Sequence, residues 1–321
     1  MIKISYINFW EDPTNDSYFT KFISYNIGET ILVKPNENPD ILIASVFGDI
    51  SNVIKYNAKC KIFYYGENLN RFPPYNNDNL LENTFDLIVG FKYTNLDKKL
   101  LRFPLWLMYY DFYSTSTSSY NTTSSDTTDI VSYIESKYIE NIKKNKIIFA
   151  SLIARHDREG QRTKICNALS KYESINGLGK IMYPGDFRNN TPKIGMTTQD
   201  KINYISQSIY NICPENSVYE GYFTEKIFQA FEGGTIPIYW AIDLPEKYII
   251  NENKYCFCNI NNKKEMKESI QESIYNVVMN PIKYLEGNIF TDNARNIIQG
   301  YYNDLRDNIK IKLGLDIRIR H

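Results

Sequence analysis

The segment from Asn211 to Trp240 reads NICPENSVYEGYFTEKIFQAFEGGTIPIYW, and its pattern decides the fold class. The apolar run at 209–213 predicts a buried strand, and 224–232 predicts a helix that ends at a Gly-Gly pair. The run at 235–240 predicts the next strand. Strand, helix and strand at this spacing form a parallel βαβ unit. The segment therefore predicts an α/β fold.

Similar patterns extend outward from this segment over most of the chain. In the same half, 146–152 predicts a strand, and 160–172 and 263–278 predict helices. Four apolar runs predict a first sheet in the N-terminal half, at 3–8, 41–47, 61–65 and 85–91.

A Ser/Thr-rich tract, STSTSSYNTTSSDTTD at 114–129, separates the two series. It has too few apolar side chains to order itself, so we expect a loop. The sequence therefore predicts two Rossmann-like domains, 1–140 and 141–321, with the Ser/Thr-rich loop at 114–129 in the first.

The charge balance and the histidine count exclude several classes of function. Thirty-seven basic residues balance thirty-seven acidic ones, so a general nucleic-acid binder, which neutralises many phosphates, is not expected. The two histidines, His156 and His321, are too few for a multi-histidine metal site, and the second is the last residue. A Ser-His-Asp triad is not expected either, because it also requires a histidine.

The cysteines and the apolar segments bear on the cellular location. The five cysteines follow no regular spacing and include no Cys-x-x-Cys pair, which favours buried thiols in a reducing compartment. The most apolar window, 101–110, is half the length of a membrane span, and the start MIKISYINFWED has no secretory signal pattern. We expect a soluble, cytoplasmic protein without a transmembrane span.

Two cations occupy the first turns of predicted helices that follow strand ends, Arg162 and Lys226. A cation at a helix N-terminus opposes the helix dipole at a cost of about 0.3–1 kcal/mol, and a bound anion would reverse that penalty. The pair thus indicates an anion site at the strand ends. Two alternatives stay open: Lys226 as a solvated surface lysine, and Arg162 as a surface partner of Glu159.

Nucleotide signatures of other classes are missing. The chain has no P-loop, no complete G-x-G-x-x-G and no Asp-x-Asp pair. A diphosphate would then have to be held by cations and helix ends rather than by a metal clamp.

The stretch PENSVYEGYFTEKIFQAFEGGTIPIYW at 214–240 resembles the donor-binding signature of the α-1,3/4-fucosyltransferases of glycosyltransferase family 10. In the N-terminal half, FYYGEN at 63–68, FDLIVGF at 85–91 and LLRFPLWLMYY at 100–110 resemble further blocks of that family. The resemblance covers most of residues 1–280.

The resemblance implies a GT-B fold, in which two Rossmann-like domains face a central cleft. The N-terminal domain would bind a glycan acceptor and the C-terminal domain GDP-fucose, with inversion at the anomeric carbon and with no metal or other cofactor. The transfer would reach a hydroxyl such as O3 of a GlcNAc-type residue. The protein could then also lie peripheral to a membrane where the acceptor glycan is built.

The resemblance also assigns site residues. It implies Glu67 as the general base, Arg162 and Lys226 as diphosphate ligands, Glu225 as a ribose contact, and Asn216 and Tyr222 as part of the donor pocket. The residue pattern by itself also allows Glu67 to be a strand-end carboxylate that caps the next turn.

Departures from the family pattern keep two further hypotheses open. Pro214 stands where the family has Phe, Arg155-His156 where many members have Ser-Asn, and Ala241 where Gly is common. All three lie on the predicted donor side. A different GDP-sugar donor therefore remains an alternative, as does an inactive homologue that binds a nucleotide or a glycan.

Overall fold

A computed structural model describes residues 1–10, 12–110, 129–154, 157, 160–172, 181–182, 197–258 and 265–315, without the side chains of 181–182 and 265–269. Most of the predicted loop at 114–129, the pair Arg155-His156, Glu159 and His321 lie outside the described residues. The chain divides into two compact units. The first comprises Met1–Asp129, Tyr219–Tyr222 and Arg295–His321, and the second Ile130–Val218 and Phe223–Ala294.

The strands are β1 (Ile2–Ile7), β2 (Thr30–Leu32), β3 (Ile41–Ala44), β4 (Cys60–Tyr64), β5 (Leu87–Gly90), β6 (Leu100–Arg102), β7 (Ile148–Leu152), β8 (Ile181–Met182), β9 (Ser208–Ile212), β10 (Ile236–Tyr239) and β11 (Cys256–Phe257). The helices are α1 (Tyr18–Asn26), α2 (Ile50–Ile54), α3 (Asp78–Thr84), α4 (Ile130–Ile142), α5 (Gln161–Leu169), α6 (Thr198–Ile205), α7 (Lys226–Glu232), α8 (Glu265–Met279), α9 (Pro281–Leu285) and α10 (Ala294–Lys312).

Each unit is built on one parallel sheet, which confirms the predicted α/β class. The first sheet has the order β2-β1-β3-β4-β5-β6 and the second β11-β10-β9-β7-β8, with every neighbouring pair parallel. In both sheets the first strand of the unit lies between the second and the third. This is the flavodoxin-like order of doubly wound sheets. Ligands of such sheets bind where the order reverses, beyond the carboxyl ends of the strands.

Buried apolar side chains explain why the strands form where they do. All four residues of β3 are buried, as are all five of β7. Such continuous apolar runs suit parallel strands that are covered on both faces. The five cysteines are buried, as the sequence predicts. Within the part of the chain that the structure describes, no helix is long and apolar enough to cross a membrane.

The units differ from the predicted boundary at 140/141 in three places. Helix α4 belongs to the second unit because it packs on α7, where the side-chain amide of Asn141 donates to the carbonyl of Glu232 at 2.5 Å. Helix α10, apart from its first residue, belongs to the first unit. Its Tyr302 ring lies 5.4 Å from that of Phe103 and 6.1 Å from that of Phe22. Aromatic packing thus places α10 in the first unit, although the helix follows the second unit in the sequence.

The short segment Tyr219–Tyr222 also belongs to the first unit. The guanidinium of Arg102 donates to the carbonyls of Phe91 and Gly221, the latter at 3.2 Å. Gly221 has a φ of +67°, and a Cβ at this position would lie 2.3 Å from the carbonyl oxygen of Phe91. Only glycine fits both the left-handed backbone and this close approach.

Candidate functional site

The second sheet reverses its strand order between β7 and β9. Leu152 at the end of β7 lies opposite Ile212 at the end of β9, so both strands finish at the same edge. Ligands of doubly wound sheets bind at this kind of edge. The side chains that follow the two strands therefore form the candidate site of the second unit.

Arg162 lies in the first turn of α5, after β7, and is only 6% exposed. Its Nη2 donates to Oδ1 of Asn216 at 2.7 Å, so two predicted donor-site residues are in contact. The burial of Arg162 excludes the surface alternative. Asp157 accepts from the backbone amides of Arg162 at 3.0 Å and Thr163 at 2.8 Å. These two helix-end amides are therefore paired within the chain, contrary to the expectation that they help to hold a diphosphate.

Lys226 is the first residue of α7, and its side chain is 16% exposed. Its Nζ donates to Oε2 of Glu215 at 3.1 Å and to Oγ1 of Thr224 at 2.7 Å. Because Lys226 is largely buried and makes two hydrogen bonds, it is not a solvated surface lysine, and that alternative is wrong.

Glu215, which the sequence reasoning missed, is the centre of this network. Its side chain is fully buried and also accepts from the amide of Thr224 at 2.7 Å, the hydroxyl of Thr224 at 2.7 Å and the hydroxyl of Tyr239 at 3.0 Å. Burial and then the charge of Glu215 raise the pKa of Tyr239 far above its ordinary value, so this hydroxyl donates. The sequence signal was a carboxylate directly after the buried strand β9.

Glu225 stands beside a second residue that the sequence reasoning missed, Lys201. Oε1 of Glu225 lies 3.7 Å from Nζ of Lys201, and both side chains are mostly buried, at 10% and 23% exposure. Burial favours the neutral form of Glu225, but the charges of Lys226 and Lys201, with hydrogen bonds from its own backbone and from Thr224, together hold the pKa of Glu225 below its ordinary value. Burial lowers the pKa of Lys201, while Glu225 opposes that change.

Lys201 had a sequence signal in the capping box that opens α6. The Thr197 side chain accepts from the amide of Asp200, and the Asp200 carboxylate accepts from the amide of Thr197. Such a box marks a helix start. It places Lys201 in the first turns of the helix that leads into β9.

Three cations thus converge at the reversal point of the second sheet. Arg162, Lys201 and Lys226 line one cavity together with Pro214. Its volume is about 10 Å³, room for about one water molecule. A diphosphate is much larger, so it would lie on the solvent side of the cluster, where the two lysines are partly exposed. Clustered cations on a rigid frame are suited to phosphate groups, since charge-assisted hydrogen bonds are short and strong.

Tyr222 belongs to the first unit, whereas the other predicted donor residues belong to the second. It is 3% exposed, and its ring centroid lies 4.6 Å from that of Phe91. It is part of the hydrophobic core there. Its contribution to a donor pocket stays a prediction.

Glu67 follows β4 at the carboxyl edge of the first sheet, and its side chain is 37% exposed. It lines a cleft of about 460 Å³ in the first unit. Oε2 of Glu67 lies 3.7 Å from Nη1 of Arg71. The next turn is capped by Asn68, whose Oδ1 accepts from the amide of Asn70 at 2.9 Å, so the capping alternative for Glu67 is wrong.

No group of three or more His, Cys, Asp or Glu side chains is arranged to hold a metal ion among the residues that the structure describes. The predicted independence from metals stays a prediction.

Comparison with known proteins identifies relatives for both halves of the chain. The model of the α-(1,3)-fucosyltransferase FucT N-terminal domain matches residues 4–109. The model of the C-terminal region of glycosyltransferase family 10 (fucosyltransferase) matches residues 141–286. Together the two models cover well over half of the chain.

One curated relative is the α-(1,3)-fucosyltransferase FucT of Helicobacter pylori. It is 27% identical over 290 residues, which is 84% of this chain. The chain spans 56% of the length of that relative.

Solved structures of an α1,3-fucosyltransferase with GDP-fucose and with GDP share the fold. Their TM-scores are 0.62 and 0.60 at 21% and 22% identity, and the likeness covers 98% of this chain and 91% of those chains. The likeness confirms the predicted fold class.

Proposed function

The chain belongs to glycosyltransferase family 10, and from this membership we propose that it transfers L-fucose from GDP-fucose to a glycan acceptor. The acceptor group is a hydroxyl such as O3 of a GlcNAc-type residue. The reaction inverts the anomeric carbon and needs no metal ion. GDP-fucose and the glycan are the only partners that the proposal requires.

The observation that carries the proposal is the cation cluster of the second unit. Arg162, Lys201 and Lys226 line one cavity where β7 and β9 end. This edge is where doubly wound sheets bind their ligands, and a diphosphate is the ligand that three cations favour. The solved relatives include one with GDP-fucose and one with GDP, which supports GDP as the nucleotide.

Four of the five proposed donor-site residues have roles that fit their contacts. Arg162 and Lys226 bind the diphosphate, and Asn216 orients Arg162 through their 2.7 Å hydrogen bond. Glu225 keeps its negative charge beside Lys201 and Lys226, so it can accept hydrogen bonds from the ribose hydroxyls. Tyr222 adds to the donor pocket.

The chemical step is a single displacement. The acceptor oxygen forms a bond to the anomeric carbon of fucose, while the bond from that carbon to the β-phosphate oxygen of GDP breaks. Glu67 accepts the proton of the acceptor hydroxyl. GDP leaves with the electron pair of the broken bond, and the cations stabilise the negative charge that develops on it. A single displacement of this kind inverts the anomeric carbon.

A donor screen that measures GDP or UDP release tests the proposal. We expect release from GDP-fucose when N-acetyllactosamine is present, in buffer with EDTA. Faster GDP release from GDP-mannose than from GDP-fucose would show that the donor sugar is not fucose. Binding of GDP without transfer from any GDP-sugar would leave an inactive homologue, and release only from UDP-sugars would refute the nucleotide assignment.

A further inference from the structure

Three large aromatic side chains are exposed at the cleft that contains Glu67. Trp10 is 38% exposed, and Phe47 and Tyr109 are each 47% exposed. All three line the cleft of about 460 Å³. Proteins rarely leave such side chains in water together, and a concave apolar surface of this kind marks a binding site.

The topology of the first sheet explains the position of this aromatic cleft. Ile7 at the end of β1 lies opposite Ala44 at the end of β3, and the strand order reverses between these two strands. Trp10 follows β1 and Phe47 follows β3. The aromatic rings therefore stand at the edge where doubly wound sheets bind ligands, as the cations do in the second unit.

Neighbouring rings hold the exposed face of Trp10 in place. Its ring stacks on that of Phe9, with centroids 4.1 Å apart and planes 28° from parallel. Phe47 stands almost perpendicular to it at 6.3 Å, and Tyr64 lies 5.9 Å away. A ring fixed in this way loses little conformational entropy when a ligand stacks on it.

The polar groups of the cleft define the chemistry of its ligand. The described lining includes Asp16, Ser17 and Glu67 but no lysine or arginine. Each carboxylate has a cation beside it, with Lys21 3.1 Å from Asp16 and Arg71 3.7 Å from Glu67, so the lining has no surplus positive charge to hold a phosphate. It suits a neutral molecule with an apolar face and hydroxyl groups along its rim, because carboxylates and hydroxyls accept hydrogen bonds from hydroxyl donors. A pyranose ring has this form.

We propose that Trp10 and Phe47 form a stacking platform for a neutral pyranose of the acceptor glycan. The apolar C–H face of the sugar lies on Trp10, Phe47 closes one side, and Asp16 accepts from a sugar hydroxyl. The platform determines acceptor affinity and orients the reacting hydroxyl toward Glu67. This inference rests on the proposed function, since it supplies the substrate for that base.

Tryptophan fluorescence tests the platform without any need for turnover. Of the three tryptophans, Trp106 and Trp240 are buried at 0% and 2% exposure, so a dissolved quencher reaches mainly Trp10. We expect N-acetyllactosamine to protect the wild-type protein from iodide quenching. Trp10→Phe should remove most of the quenching and all of the protection. Quenching unchanged by N-acetyllactosamine, in a protein that transfers sugar to it, would overturn the inference and leave the proposed function standing.

Kinetics with matched variants give the second test. Trp10→Ala should raise KM for the acceptor about 10-fold or more, with a smaller change in kcat and no change in KM for GDP-fucose. Trp10→Phe should recover much of the loss because it retains a ring. Tyr25→Ala, an aromatic of the same unit that is 64% exposed and lies outside the cleft lining, should change none of these constants.

The outcomes separate the two proposals. Saccharide protection of Trp10 without transfer would leave the platform standing and refute the transfer. Transfer with an unchanged acceptor KM in Trp10→Ala, at an unchanged Tm, would refute the platform. If protection of Trp10 rises with protein concentration alone, the occupant of the cleft is a second copy of the chain rather than the sugar.

Discussion

The ammonium nitrogen of Lys226 lies 3.1 Å from a carboxylate oxygen of Glu215, whose side chain is fully buried. The same carboxylate accepts from Thr224 and Tyr239. Glu215 therefore fixes the ammonium group at the start of α7 before any ligand arrives. A cation that is already ordered loses less entropy when it binds a diphosphate.

This contact predicts strong energetic coupling between Glu215 and Lys226. Glu215→Gln should lower the free energy of unfolding by about 1–3 kcal/mol, because it removes the buried carboxylate charge that the ammonium of Lys226 contacts. Lys226→Met should also be destabilising. In the double variant the loss should be smaller than the sum by about 0.5–3 kcal/mol. Urea denaturation without nucleotide measures all four proteins.

Strictly additive losses in that cycle would show that the two side chains do not interact. Lys164, which is exposed on α5, serves as the control, because Lys164→Met should add to Glu215→Gln without coupling.

The cation cluster predicts a selective defect in donor use. Arg162→Ala and Lys226→Ala should each lower kcat/KM for GDP-fucose, with little effect on acceptor KM. The decrease should correspond to a loss of about 2–4 kcal/mol of transition-state stabilisation. Lys164→Ala, two residues after Arg162 on the same helix, should behave like the wild type. If either variant keeps nearly normal activity, that residue does not contact the diphosphate.

Nucleotide binding should stabilise the protein without a divalent ion. At one hundred times its Kd, GDP should add about 2.7 kcal/mol to the free energy of unfolding, because it binds the native state only. We expect a higher Tm with GDP in EDTA and a much smaller rise with UDP. Equal shifts with both nucleotides, or a shift that requires Mn²⁺, would contradict the assignment of the cation cluster.

Glu225 should contribute to stability in a pH-dependent way. Burial alone would raise its pKa, but the charges of Lys226 and Lys201 and hydrogen bonds from its own backbone and Thr224 together hold the pKa below the ordinary 4.5. The folded state thus binds this proton less tightly than the unfolded state. The stabilisation is complete above pH 4.5 and is lost as the pH falls through the lowered pKa.

Replacement by glutamine should reveal this dependence. The stability difference between the wild type and Glu225→Gln should shrink as the pH falls from about 5 to about 3, which urea denaturation measures at each pH. Glu29→Gln, at an exposed position, serves as the control. A constant difference for Glu225→Gln would mean that its charge is not held by the lysines.

Long apolar runs made much of the fold predictable. The runs around β3, β4 and β7 could be found because buried parallel strands are continuously apolar. Strands of two or three residues, such as β2 and β11, have no periodic pattern to detect. Helix α10 could not be assigned to the first unit, since its partners there are set by tertiary packing.

The site was predictable where a cation lay in the first turn of a predicted helix that follows a predicted strand. Arg162 and Lys226 met that condition, and the structure places both at the cluster. Lys201 did not, because no helix was predicted between 172 and 209. Glu215 was missed because its role depends on Tyr239, which is 24 residues further along the chain and adjacent only in the folded sheet.

The role of Glu67 as the base is the central claim, and one substitution tests it most directly. Glu67→Gln keeps the size of the side chain but cannot take the proton of the acceptor hydroxyl. With Glu29→Gln as the control, kcat for fucose transfer to N-acetyllactosamine should fall about 10²–10⁴-fold in Glu67→Gln, while the Kd for GDP stays unchanged. A Glu67→Gln protein that binds GDP normally and keeps a nearly wild-type kcat would contradict the account.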